Sequence, residues 1–123
     1  QRIKGLKEWN FGTFEGESED LNPALPYRDF FVPYGGESES ELQERMNQTI
    51  QTLMTETTGD TILMVSHGGS IRNFARVWEK YQKTPIIGRM TNCCILKFTF
   101  SEGVFYLEEV IHHDFSNWQR VTN

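Results

Sequence analysis

Apolar positions along this chain change period several times, and each change predicts an element. Thr61-Ile62-Leu63-Met64-Val65 is a nearly continuous apolar run, partly β-branched, as in a strand buried on both faces. It ends in the small residues Ser66-His67-Gly68-Gly69-Ser70. After them Ile71, Phe74, Ala75 and Trp78 recur at helical spacing, with Arg72, Arg76 and Glu79 opposite. Upstream, Ser38 and Glu41 have capping-box spacing, and Leu42, Met46, Ile50, Leu53 and Met54 form a helical stripe that Gly59 is expected to stop. Over residues 92–100 the period is two, with Leu96, Phe98 and Phe100 alternating against Lys97 and Thr99. Ser101-Glu102-Gly103 suits a three-residue hairpin loop with Gly in the left-handed position, and residues 104–110 return as the partner strand. Helix, buried strand and helix in succession predict an α/β fold with a parallel or mostly parallel sheet, followed by a C-terminal β-hairpin.

The first third of the chain has no clean period. Leu6, Trp9, Phe11 and Phe14 are interleaved with Lys7, Glu8, Asn10 and Glu15 and broken by Gly12 and Gly16, which reads as an irregular loop with buried aromatics. Residues 17–36 are rich in acids, prolines and aromatics, with Arg28 as the sole cation. A structureless stretch of that length is either a lid or binding loop or an extended connection whose aromatics pack on the body.

Length, charge and cysteines narrow the classes. The chain has 123 residues and a net charge of −5, which fits one domain and argues against a nucleic-acid partner. It leaves room for a phosphorylated substrate, since a few local cations reverse the field inside a cleft. There is no membrane-spanning run and no signal-peptide pattern. Cys93 and Cys94 are adjacent, poorly placed for a disulfide and not at metal spacing, so reduced core thiols in a cytoplasmic protein are expected. His112-His113-Asp114 is a weak metal candidate because neighbours in an extended chain point to opposite faces. No metal or cofactor is expected. The chain opens on Gln1 with no initiator Met, which suggests removal of a segment or a piece of a longer protein.

The chemistry concentrates at His67. A strand feeding a helix through a glycine-rich turn puts this imidazole at the carboxyl edge of a sheet, where open α/β sheets bind ligands. The free N–H groups of the helix's first turn favour an anion at the same spot. The turn is neither a nucleophile elbow nor a P-loop. A histidine beside an anion nest suits phosphoryl transfer, either as a neutral nucleophile or as a cationic phosphate binder. Glu8, between Lys7 and Trp9, is either an exposed carboxylate or an acid pressed on an aromatic wall with its pKa raised for proton donation.

Three motifs in order resemble the histidine phosphatase superfamily, in the branch containing phosphoglycerate mutases and related phosphatases. These are Leu6-Lys7-Glu8-Trp9-Asn10-Phe11-Gly12-Thr13-Phe14-Glu15-Gly16, then Gly35-Gly36-Glu37-Ser38 before a helix, then Val65-Ser66-His67-Gly68-Gly69-Ser70-Ile71-Arg72. The resemblance implies that Glu8 is the general acid and that His67 contacts phosphate and stabilises the transition state. It implies that Gly68 lends its N–H to phosphate with Gly69 beside it, and that Gly36, Glu37 and Ser38 form a substrate-side loop. The family's nucleophile lies in an Arg-His-Gly motif that is not found here. The implied fold is therefore a three-layer α/β/α sandwich lacking its N-terminal central strand, with residues 1–123 as the C-terminal portion of one domain. The implied activity is hydrolysis of a small-molecule phosphate monoester, with mutase activity or a catalytically dead binding module as alternatives. An exposed strand edge is then expected, covered by self-association in a homo-oligomer or by a retained N-terminal fragment.

Overall fold

The sequence Ser-Glu-Ser-Glu at residues 38–41 begins the longest element. In the computed structural model, which describes residues 1–117, helix α1 spans Glu39–Glu56 behind a complete capping box. The Glu41 N–H donates to Ser38 Oγ at 3.0 Å, and the Ser38 N–H donates to Glu41 Oε2 at 2.8 Å. Leu42, Met46 and Ile50 are the buried face, as their spacing requires. The helix stops earlier than Gly59: Thr57 leaves the helical region at ψ 137°, and its N–H bonds back to Leu53 O.

Helix α2 spans Gly68–Val77, one residue short of Trp78. Its buried face joins Phe74 and Ala75 to two polar side chains, Ser70 and Asn73. Asn73 satisfies both ends of its amide, donating from Nδ2 to Gly69 O at 2.9 Å and accepting from Gln43 Nε2 at 3.1 Å. A buried amide without those partners would cost more than the packing gains.

Before α1 the backbone makes only short 3-10 turns, at Lys4–Leu6, Gly12–Phe14, Glu19–Leu21 and Val32–Tyr34. Between them sits an aromatic cluster centred on Phe31, which is fully buried. The rings of Trp9, Phe11, Phe14, Tyr27 and Phe30 stand within 4.9–6.2 Å of Phe31. The aromatics of residues 17–36 thus pack on one another and on the opening segment. Two glycines permit this closeness. A Cβ on Gly12 would lie 2.1 Å from Tyr34 O, and one on Gly36 would lie 2.7 Å from both Asn10 O and Phe31 Cβ.

The only sheet among the described residues is an antiparallel hairpin, β1 at Ile95–Ser101 and β2 at Val104–Ile111. Ser101 pairs with Val104, so the loop is two residues and not three. Glu102 and Gly103 both have positive φ, 52° and 76°, the requirement of the tight turn that matches strand twist. A bulge after Lys97 shifts the register from Lys97↔Glu109 to Phe98↔Leu107. Cys93 and Cys94 are free thiols, but Cys93 is exposed, so the pair is not in the core. Burial pushes the Cys94 thiol up from its ordinary value.

The parallel sheet expected around residues 61–65 does not form among the described residues; the run has no regular secondary structure and joins no sheet. A parallel strand takes its ladder bonds from neighbouring strands, and the described residues supply only the hairpin. Its side chains still alternate: Ile62 and Met64 are half-buried, while Leu63 and Val65 are 83% and 81% exposed. The chain forms two compact units, Gln1–Val77 and a second beginning at Trp78. No helix of the described residues is long and apolar enough to cross a membrane.

Candidate active site

Helix α2 begins directly after His67, whose carbonyl accepts the first helical bond from the Ile71 N–H at 2.9 Å. The next backbone donors need an acceptor, and an anion is the best one. Glu8 provides it. Its Oε1 accepts from the Ser70 N–H at 2.9 Å and from its neighbour Trp9 N–H at 2.9 Å, with Ser70 Oγ at 3.1 Å. Its Oε2 accepts from the Gly69 N–H at 3.3 Å. The first motif and the third, sixty residues apart in sequence, thus meet at one helix end. The glycine at 69 leaves room for this, since a Cβ there would stand 2.8 Å from Glu8 Oε1.

This corrects the expectation of a cradle of free N–H groups. Glu8's own carboxylate occupies the donors of Gly69 and Ser70, because a side-chain anion already tethered nearby needs little further ordering to bind there. Gly68 and His67 are both exposed, as are Leu63 and Val65 before them.

The backbone that carries Glu8 is held from three sides. Ser66 Oγ donates to Leu6 O at 2.6 Å, and Ser70 Oγ, fully buried, lies 2.8 Å from Lys7 O. Arg45 of α1 does the most. Its Nη1 donates to Gly5 O at 2.7 Å and Lys7 O at 3.1 Å, and its Nη2 to Glu8 O at 3.3 Å. The same guanidinium makes a bidentate pair with Glu37, Nε to Oε1 at 2.7 Å and Nη2 to Oε2 at 2.9 Å.

Gly36, Glu37 and Ser38 are engaged by the fold. Glu37 Oε2 accepts from the Asn10 N–H at 3.2 Å, its N–H donates to Asn10 O, and its carbonyl accepts from Trp9 Nε1 at 2.7 Å. Burial works against ionising Glu37, but the Arg45 and Asn10 hydrogen bonds and the charges of Arg45 and Lys7 outweigh it and hold its pKa below 4.5. Ser38 caps α1, and Gly36 lies against Asn10 and Phe31. These contacts tie the three residues to the Trp9–Asn10 backbone and to α1.

Arg45 and Ser70 did not stand out in the pattern. The available signal was polarity on an apolar stripe: Arg45 lies three residues after Leu42 and beside Met46, and Ser70 lies four before Phe74. Elsewhere, His112 Nδ1 is 3.0 Å from Thr91 Oγ1 and His113 stands against Phe115. An open depression of about 370 Å³ beside Ile3, Gly5, Thr49 and Leu53 has no titratable lining and is not a candidate.

The family model of the histidine phosphatase superfamily (branch 1) matches residues 1–112, and the chain belongs to that superfamily. The matched range includes Glu8, residues 36–38 and His67 through Gly69. Neither a curated protein nor a solved structure matches the chain significantly.

Proposed function

We propose that this chain belongs to a phosphoryl-transfer enzyme that hydrolyses a small-molecule phosphate monoester through a phosphohistidine. The observation that carries the reading is the meeting of Glu8 with the turn following His67, at 2.9 Å from the Ser70 N–H and 3.3 Å from the Gly69 N–H. Glu8 caps the helix that begins directly after His67, and an acid and an imidazole together are the minimum for protonating a leaving group while a phosphate is held. The nucleophile is a histidine from outside these residues, since none of His67, His112 and His113 follows an Arg and precedes a Gly.

In the forward step the neutral imidazole of that histidine attacks phosphorus in line, the P–O bond to the leaving group breaks, and Glu8 gives its proton to the departing oxygen. His67 and the Gly68 N–H hold the equatorial oxygens, where charge stabilisation is worth most. Water then attacks phosphorus, Glu8 takes its proton, and the P–N bond breaks. Gly69 serves less as a phosphate donor than as the residue on which Glu8 rests, and Gly36, Glu37 and Ser38 shape the substrate side through the aromatic loop they anchor. Residues 17–36 are acidic with Arg28 as the sole cation, which favours a phosphatase over a mutase acting on a small anionic acid.

The same reading makes residues 61–65 a central strand of a mostly parallel sheet in an α/β/α sandwich. The exposure of Leu63 and Val65 supports it. Their cover is a retained N-terminal segment or a second copy, and a monodisperse monomer of the 123 residues by light scattering counts against both. For the activity, the protein carrying the nucleophile is assayed on nitrophenyl phosphate without added metal. Turnover undiminished in both Glu8→Gln and His67→Ala ends the assignment, and absence of activity in any form of the protein favours a binding module.

A further inference from the structure

We infer that Arg45 and Ser70 are positioning residues that fix which oxygen of Glu8 transfers the proton; this rests on the reading of Glu8 as the general acid. The two oxygens of Glu8 are not equivalent. Oε1 accepts from two donors, the N–H groups of Trp9 and Ser70, both at 2.9 Å; Ser70 Oγ stands 3.1 Å away, but its one proton goes to the closer Lys7 O at 2.8 Å. Oε2 accepts the single 3.3 Å bond from the Gly69 N–H. The two N–H groups take both lone pairs of Oε1, so the transferable proton belongs on Oε2.

That asymmetry requires the Glu8 backbone to stay where it is. Arg45 supplies the restraint by donating to the carbonyls of Gly5, Lys7 and Glu8 at 2.7, 3.1 and 3.3 Å. Its guanidinium is in turn locked by the bidentate pair with Glu37. Ser70 acts at the other end: its Oγ touches both Lys7 O and Glu8 Oε1, and its N–H donates to the same oxygen. A lysine in place of Arg45 has one nitrogen and cannot bond Glu37 in bidentate fashion while reaching three carbonyls. Neither Arg45 nor Ser70 touches the reacting atoms. In the step they serve, the P–O bond breaks with its electron pair on the leaving oxygen, the P–N bond forms, and the proton on Glu8 Oε2 passes to that oxygen. In the second step water's proton returns to Oε2 as the P–N bond breaks.

The test uses the leaving group. An alkyl phosphate needs its departing oxygen protonated, whereas dinitrophenyl phosphate leaves readily as the anion. A misplaced acid therefore lowers kcat/KM for the alkyl ester alone, while a loss of folded enzyme lowers both alike. In the nucleophile-bearing protein, Arg45→Lys and Ser70→Ala are expected to lose on the order of 10²-fold on an alkyl phosphate and less than about fivefold on dinitrophenyl phosphate. Glu8→Gln is run beside them and should show the same selective loss, at least as large. A selective loss in Glu8→Gln with an equal loss on both esters, or none, in Ser70→Ala and Arg45→Lys overturns the positioning role and leaves the acid assignment standing. An unselective effect in Glu8→Gln overturns the acid assignment itself. Ser70→Ala removes one hydroxyl and decides the matter should Arg45→Lys fail to fold.

Discussion

Arg45→Ala should be among the most destabilising single changes in the first unit, and the reason can be worked from its partners. The substitution removes both bonds to Glu37 and the donors to three carbonyls. It also strands the Glu37 carboxylate, whose side chain is 13% exposed, with the Asn10 N–H as its remaining close donor. Breaking a half-buried pair from one side leaves an uncompensated charge, and the expected loss is about 3 kcal/mol. Glu37→Gln keeps the shape and an acceptor for Arg45, so about 1.5 kcal/mol is expected there. The double variant should cost less than the sum, because the stranded charge is gone.

Urea denaturation of the purified protein measures this directly. With a slope of about 1.5–2 kcal/mol per molar, Arg45→Ala lowers the midpoint by about 1.5–2 M. The pH dependence has a definite sign. Glu37 is held below its ordinary pKa of 4.5 in the folded protein, so its contribution is complete above the unfolded value and lost as pH falls through the folded one. The gap between wild type and Arg45→Ala is therefore full at neutral pH and narrows below about pH 4. A loss under about 1 kcal/mol, or a gap constant from pH 7 to pH 3, would refute this account of the pair.

Gly36→Ala pushes a methyl to 2.7 Å from Asn10 O and 2.9 Å from Phe31 O, backbone atoms that cannot swing aside. A loss of about 2–4 kcal/mol is expected, read as a fall in Tm of roughly 8 °C or more. Ser38→Ala removes the acceptor for the Glu41 N–H and should cost about 1 kcal/mol, with Ser38→Asp restoring most of it in the same urea titration. Leu63→Thr and Val65→Thr should each change the stability of the 123-residue chain by less than about 0.5 kcal/mol, since both side chains are exposed. A loss above about 1.5 kcal/mol in a protein carrying further strands would show that those strands cover them.

Local rules in the chain were enough for its regular elements. The capping box at Ser38 and Glu41, the Leu42–Met46–Ile50 stripe and the alternation before Glu102-Gly103 concern neighbours within one turn or one hairpin. Those rules operate without knowledge of the rest of the molecule. They misjudged ends, where one bond decides: Thr57 bonding to Leu53 stopped α1 before Gly59, and positive φ at Glu102 made the hairpin loop two residues. Pairing lies beyond such rules: the apolar run of residues 61–65 suits a buried strand, but a ladder depends on strands that the segment cannot specify.

The sequence by itself determined the candidate residues, because Glu8, His67 and the glycines after it stand in motifs whose order is legible. Only the tertiary structure decided what surrounds them. That Glu8 caps α2, that its two oxygens differ, and that Arg45 anchors its backbone depend on contacts between residues 37 to 62 positions apart. Such contacts exist only once α1, α2 and the opening loop pack together, and no local propensity encodes them.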